Sequence, residues 1–470
     1  MQALLLALVA SARAITDNYV DGQCSPAGEN ADVDNFPSKS EYGTQFTDTV
    51  GADYSLLWEV QYAKDYKIVK NSLTGDVHIL HQCGADAPTN EELPAYAWDG
   101  ATVEVPMTAV ATTSTTYLPF IEMLNERRAL KAYQSSFAYV SSPCFRKMFR
   151  DGQVVQNDAY GTAPLVDLET LGVQATFASQ YGSDQYKFIQ MTDINEQQPD
   201  AVLKTAGYVE YLGLYFNREK EATAAIAHIV DNYMCTKEAV SSVVAENAPV
   251  PVLWSQYFAG ATCTDGSAGG WSVASANSWY AEIINDAGGR LFVVPDDVVA
   301  ACESWGAPYL PTAQLMEVGA DALVMISPGP FAPRLADGEV TNLDGLQAWD
   351  NGRVFDNQGP NGANDWFERR VVEPDAVLQD MALAFYPDDS PTATFSRKWL
   401  RNVRAGEPIG GVSDEDLDTA CPDIDAPYEF PSTEMCAQLA TPGPTDEGGS
   451  DAASRAGLAA AAAVAAALVF

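Results

Sequence analysis

The chain has 470 residues, 47% of them hydrophobic, and a formal net charge of −38. That length and apolar content suit a globular protein with room for two substantial cores. The charge works against binding a phosphate backbone and suits a self-repelling surface in a salty medium, where screening softens the repulsion.

The first residues, MQALLLALVASARA, form a short apolar run closing on Ala12-Arg13-Ala14, a small-x-small cleavage pattern, so 1–14 reads as a signal peptide. Residues 15–100 read as an irregular N-terminal arm followed by a β-hairpin. The hairpin signal is YKIVKN and VHILHQC on either side of Ser-Leu-Thr-Gly-Asp, two alternating runs around a glycine turn.

Residues 101–204 read as a first α/β lobe that starts with the strand at Val103. Three strand-to-helix turns are expected in it, at 112–117 (TTSTTY), 139–144 (YVSSPC) and 178–182 (ASQYG), with a short helix over 165–171. Loops beyond the carboxyl ends of strands carry the ligand in open α/β sheets, so the hydroxyls and tyrosines of these turns are candidate contacts. The serines and threonines fit helix capping equally well.

Residues 205–247 hold a long helix. Apolar side chains recur at Ala222, Ile226, Ile229, Tyr233, Val240 and Val244 with charged residues between them. Asn217 is the expected N-cap, Arg218 opens the helix, and Glu219 and Glu221 sit where the dipole favours acids. A rod of about 40 Å follows from about 1.5 Å per residue.

Residues 248–404 read as a second α/β lobe. A strand over 250–254 leads to a turn at 255–258 and a Gly-rich loop reaching Trp271. Helices are expected over 277–289, 312–318 and 374–385, a buried strand over 322–326 and an edge strand over 352–356. Residues 405–457 lose periodicity and read as an acidic Pro/Gly linker. The apolar tail 458–470 is shorter than the roughly 20 residues of a membrane span. Behind small residues and a short spacer it matches a glycosylphosphatidylinositol signal. The fold class is therefore α/β, with two Rossmann-like α/β lobes joined by one long α-helix and a ligand cleft between the lobes. One large α/β domain around a central helix is the alternative.

Eight cysteines in a chain with a signal peptide point to disulfides. Cys421 with Cys436, close in sequence, and Cys263 with Cys302, within the second lobe, are the expected pairs. Only three histidines occur, His78, His81 and His228. No nucleophile elbow, phosphate loop, dinucleotide fingerprint or metalloprotease helix is present, so no catalytic residue is assigned and the chain is read as a non-enzyme.

Six fragments, TTSTTYLPFIEML, VEYLGLYFNREKEATAAIAHIVDNY, NSWYAEIINDAGG, LMEVGADALVMI, NGRVFDNQG and WFERRVVEPDAVLQDMALAFYP, stand in an order and spacing that resembles a known family over residues 100–402. It is the class III, helical-backbone periplasmic substrate-binding family, whose members bind cobalamin, ferric siderophores, haem and some metals. The resemblance implies a cell-surface solute-binding protein that captures a metal chelate, a ferric siderophore first and then haem or cobalamin, with no covalent cofactor. It also implies little lobe closure on binding, because a single helix is a stiff hinge.

Candidate ligand contacts for such a chelate are Thr116 and Ser142, the aromatics Tyr117, Tyr160, Tyr181, Trp254, Tyr257, Trp271, Trp366 and Phe367, and the cations Arg334 and Arg370. Each aromatic fits core packing equally well. Bacterial members dock on an ABC permease through one acid on each lobe. The matching positions here fall near Pro119 and Ala313, so no permease docking is expected. The remaining expectations are a monomer on the extracellular face of the plasma membrane, held by a lipid anchor, with no nucleic-acid partner. The alternative function is a structural or adhesive surface protein that keeps the fold and fills the cleft with side chains.

Overall fold

A computed structural model of the chain describes residues 58–430 together with 19–20 and 23–24, except for 64, 73, 159–160, 162, 180–186, 192–200, 247, 265, 267, 295–301, 305–306, 330, 342 and 388–394. The expected signal peptide, apolar tail, Cys436, Tyr160 and Tyr181 lie outside the described residues.

The alternating runs build a four-stranded sheet. Trp58–Tyr62, Tyr66–Asn71 and Val77–Gln82 pair antiparallel, and Ala101–Val105 adds parallel to Val77–Gln82. The expected hairpin is its middle. Ala101–Val105 was expected to open the first lobe, and the structure corrects this. Its first four positions are exposed or half-buried, as suits the edge of a small sheet. The fully buried Val110–Thr112 instead enters the lobe, as a strand covered on both faces must.

The first lobe is an all-parallel sheet of five strands, in the order Phe188–Gln190, Ala175–Ala178, Val110–Thr112, Leu130–Tyr133, Val155–Gln156. Residues 165–171, expected as a helix, carry only a turn. Asp167 takes the N–H of Glu169 and the hydroxyl of Thr170, which competes with helical pairing.

Tyr208–Phe216 and Glu219–Glu246 are separate helices. Asn217, expected as an N-cap, is the left-handed C-cap of the first, at φ 53°. Among the described residues, its side chain makes no N-cap bond to the second helix; it accepts from Lys67 Nζ (2.9 Å) and donates to Gln82 (3.0 Å). The second helix has 28 residues, about 42 Å of rod. Ala222, Ile226 and Ile229 belong to the first lobe's core, and Tyr233 belongs to a core of the second lobe. One apolar stripe thus serves two cores in succession.

The second lobe is organised on Val250–Cys263, a 14-residue strand. It pairs parallel with Gly289–Leu291 and Val324–Ile326, and antiparallel with Ala268–Val273 and Cys302–Ser304. The turn and Gly-rich loop expected over 255–271 are therefore a long hairpin. The glycines make room for side chains crossing it: a Cβ on Gly269 would lie 1.9 Å from the Tyr257 hydroxyl. Cys263 and Cys302 are joined by a disulfide at paired positions. Val354–Asp356, expected at an edge, is flanked by Val324–Ile326 on one side and Arg401–Asn402 on the other. Buried Asp356 and Arg401 form an ion pair across that junction.

Residues 405–430, expected as the start of a linker, form a strap across the lobes. Gly410 and Gly411 donate to the carbonyls of Gly359 (3.0 Å) and Pro360 (2.8 Å) in the second lobe. Further on, the short helix Leu417–Ala420 packs on the helix Pro143–Arg150 of the first. Cys421 is disulfide-bonded to Cys144, not to Cys436. Arg127 reaches the carbonyls of Ile424 (3.2 Å) and Ala426 (2.8 Å). Nearness in sequence misled the pairing because the fold brings 421 to a helix 277 residues earlier. Cys83 and Cys235 are also disulfide-bonded.

Candidate ligand site at the junction of the two lobes

In each lobe the loops after the parallel strands turn toward the other. Ser114 caps the short helix Thr115–Tyr117 by accepting from Thr116 N–H, and Ser142 caps Pro143–Arg150 by accepting from Phe145 N–H. Facing them is the helix Asp365–Arg369, which follows Val354–Asp356. The two sides touch directly. Thr116 donates its hydroxyl to the Phe367 carbonyl (3.2 Å), and Ser141 donates its hydroxyl to Asp365 (2.9 Å). Glu368 takes the backbone N–H groups of Ser141 (2.6 Å) and Ser142 (3.0 Å).

Glu368 is fully buried. Burial, helped by the neighbouring charges of Asp365 and Glu122, pushes its carboxyl up to about 8 against the pull of the Ser141 N–H. Ser142 donates its hydroxyl to Glu122 (2.7 Å), which also accepts from Arg127 Nε (3.0 Å). A buried polar chain therefore runs from Arg127 to Glu368 and ties the lobes together.

Of the aromatics expected as cleft walls, Tyr117, Trp254, Tyr257, Trp271 and Trp366 are core, whereas Phe367 is 36% exposed. Trp254 and Trp366 pack with Trp279, Tyr280 and Trp399, with Trp254 stacked on Tyr280 at 4.4 Å. Arg370 is buried over the rings of Trp279 and Trp366, and burial lowers its pKa to about 10. Tyr117 is buried in the first core. Tyr257 and Trp271 belong to another core of the second lobe, where Tyr257 donates to the Glu339 carbonyl (3.0 Å) and Trp271 to the Thr312 hydroxyl (3.1 Å). Arg334 lies over the Tyr257 ring and against Glu339. The structure thus gathers Thr116, Ser142, Trp254, Trp366, Phe367 and Arg370 about the junction, as contact and packing residues. Tyr257, Trp271 and Arg334 stand apart from it. The physical reason is size: large rings in βα loops are the cheapest way to fill a junction with apolar volume.

The open space lies beside this contact. A cavity of about 670 Å³ is bounded by Ser136–Ser141 residues after Leu130–Tyr133, by the 361–364 loop after Val354–Asp356, and by the strap at 410–414. It therefore opens at the carboxyl ends of strands from both sheets, where ligands bind in open α/β folds. One wall is the stacked pair Phe137 and Phe149, 4.2 Å between centroids and 6° from parallel. Arg146 and Arg150 supply the charge. Arg146 meets Asp414 (2.6 Å) and Arg150 meets Asp418 (2.8 Å), both on the strap. The guanidinium of Arg150, followed by the Lys147 ammonium, holds Asp418 down at about 2.

None of these cavity residues was among the expected contacts. A signal existed: FRKMFR carries three of the chain's 26 basic residues within five positions, two of them one helical turn apart. Among the described residues no cluster of His, Cys, Asp and Glu is arranged to hold a metal ion, and no helix is long and apolar enough to cross a membrane.

No protein-family model matches the chain, and no curated protein matches it in sequence. Solved structures similar to it include a periplasmic haem-binding protein from Pseudomonas aeruginosa, at 14% identity over 65% of this chain and 98% of that one, TM-score 0.43. The siderophore-binding protein BauB, bound to acinetobactin and ferric iron, is 17% identical over 59% of this chain and 92% of that one, TM-score 0.43. An ABC-transporter substrate-binding protein from Listeria monocytogenes EGD-e is 15% identical over 60% and 99%, TM-score 0.38.

Proposed function

We propose that the chain is a secreted, lipid-anchored solute-binding protein that holds a small metal chelate at the lobe junction, a ferric siderophore first and then haem or cobalamin. The observation that carries this is the cavity of about 670 Å³ at the carboxyl ends of strands from both sheets. It is within the usual 300–1,000 Å³ range for small-molecule sites and offers both an aromatic face and guanidinium groups. The chelate is cargo, and the protein's part is to bind rather than react. Its partners in this reading are the chelate and a membrane, with no nucleic acid and a monomeric chain. Permease docking is not part of it: Pro119 is buried and Ala313 carries no charge.

Titration calorimetry of the full chain with a ferric trihydroxamate chelate, haem and cobalamin tests this. One of them should bind with 1:1 stoichiometry, and Ala138→Trp, which places a ring in the cavity, should abolish the heat. Absence of binding by all three would favour the second reading, a structural surface protein. That reading has its own support in the direct closure of Thr116, Ser141 and Ser142 onto the 365–368 segment.

A further inference from the structure

We propose that Asp414 and Asp418 of the strap are exchangeable internal counter-ions for Arg146 and Arg150, so that the cavity selects chelates carrying acid groups able to replace them. This rests on the solute-binding reading above and names the chemistry of the solute. Arg146 and Arg150 lie one turn apart on the helix Pro143–Arg150 and line the same cavity. Arg146 donates Nη1 to the Val412 carbonyl (2.7 Å) and Nη2 to Asp414 (2.6 Å). Arg150 donates Nη1 and Nη2 to the two oxygens of Asp418 (3.2 and 2.8 Å) and Nε to Asp151 (2.9 Å).

The partners of these pairs are unequally wet. Asp414 and Asp418 are 84% and 65% exposed in their side chains, while Arg146 and Arg150 are 20% and 37% exposed. A carboxylate that open to water gives up little on leaving, Asp418 included, which Lys147 also meets (3.1 Å), and each ion pair contributes about a fivefold factor at most. An acid approaching through the cavity meets guanidinium forks already partly stripped of water and fixed for bidentate contact.

The strap itself is pinned. Gly410 sits so close to Pro360 that a Cβ there would be 1.9 Å from its carbonyl oxygen, Leu417 is buried, and Cys421 is bonded to Cys144. The exchange is therefore of two carboxylate side chains, with the strap's backbone kept in place as the cavity wall.

The test is calorimetry on the full chain with two probes, ferric citrate and an uncharged ferric trihydroxamate chelate. D414N/D418N should bind ferric citrate up to about twenty-five-fold tighter than the native chain, a factor of up to about five for each competitor removed. R146Q/R150Q should bind it more than about tenfold more weakly. The gain in D414N/D418N should be confined to ferric citrate, and the loss in R146Q/R150Q should be larger for ferric citrate than for the uncharged chelate. Unchanged ferric citrate affinity in D414N/D418N, or an equal gain for both probes, overturns the proposal. Binding of the uncharged chelate alone would leave solute capture standing and sink the counter-ion exchange. Binding of neither would remove both.

Discussion

Replacing Glu368 with Gln should change the sign of its effect on stability between pH 5 and pH 8. The folded chain raises this carboxyl from 4.5 to about 8, so it keeps a proton that the unfolded chain sheds. A raised acid contributes stability that is complete below the unfolded pKa and lost as pH rises through the folded one. One proton over three pH units, at about 1.36 kcal/mol each, amounts to about 4 kcal/mol lost from pH 5 to pH 8. Gln has no proton to lose and escapes this. Its NH₂ cannot accept, however, so one of the buried N–H groups of Ser141 and Ser142 goes unpaired, at about 1–3 kcal/mol at every pH. The variant should therefore be about 1–3 kcal/mol less stable than the native chain at pH 5 and about 1–3 kcal/mol more stable at pH 8. Glu210, Asp375 and Asp380 are raised in the same direction by burial, but they are common to both proteins and cancel in the difference. Urea unfolding of the two full chains at several pH values is the assay. Parallel stability curves for native and variant would refute the reasoning.

Trp366→Ala should cost about 3–5 kcal/mol in urea unfolding, because the ring is fully buried among Trp254, Trp279 and Trp399; a cost under 1 kcal/mol would mean the ring is an exposed cleft wall after all. Lys67→Met should cost about 3–5 kcal/mol by leaving Glu219 buried without its cation, and Lys67→Met/Glu219→Leu should recover part of it. Cys421→Ser opens a cross-link between positions 277 residues apart and should lower stability by up to about 5 kcal/mol in the same assay.

The elements with strong periodicity were legible. The stripe from Ala222 to Val240 defined the long helix, and the capped helix at Ser278 and the one beginning at Pro374 stand where capping and proline rules put them. What failed was reading that needed a partner in space. Asn217 obeys the N-cap preference, yet its left-handed backbone and its bonds to Lys67 and Gln82 come from a sheet more than a hundred residues upstream. Gly269 and Gly270 look like loop residues until Tyr257 and Tyr309 are seen crossing them. Trp254 and Trp366 stand where an aromatic can face a ligand, and nothing local says that they face each other. The cavity is not legible in the sequence because its third wall, the strap, has no period at all. Its sequence carries polar and glycine residues that the lobes hold in place through hydrogen bonds and one disulfide.

The Cys144–Cys421 bond has a topological consequence. It converts the chain between those residues into a ring that contains the long helix and the whole second sheet, with residues 1–143 and 422–470 running outside it. A single peptide cleavage in any loop of that ring opens the circle without producing a second molecule. The cut protein keeps its mass, apart from one added water, until the disulfide is reduced. One proteolytic nick within the ring therefore leaves both lobes in a single covalent molecule.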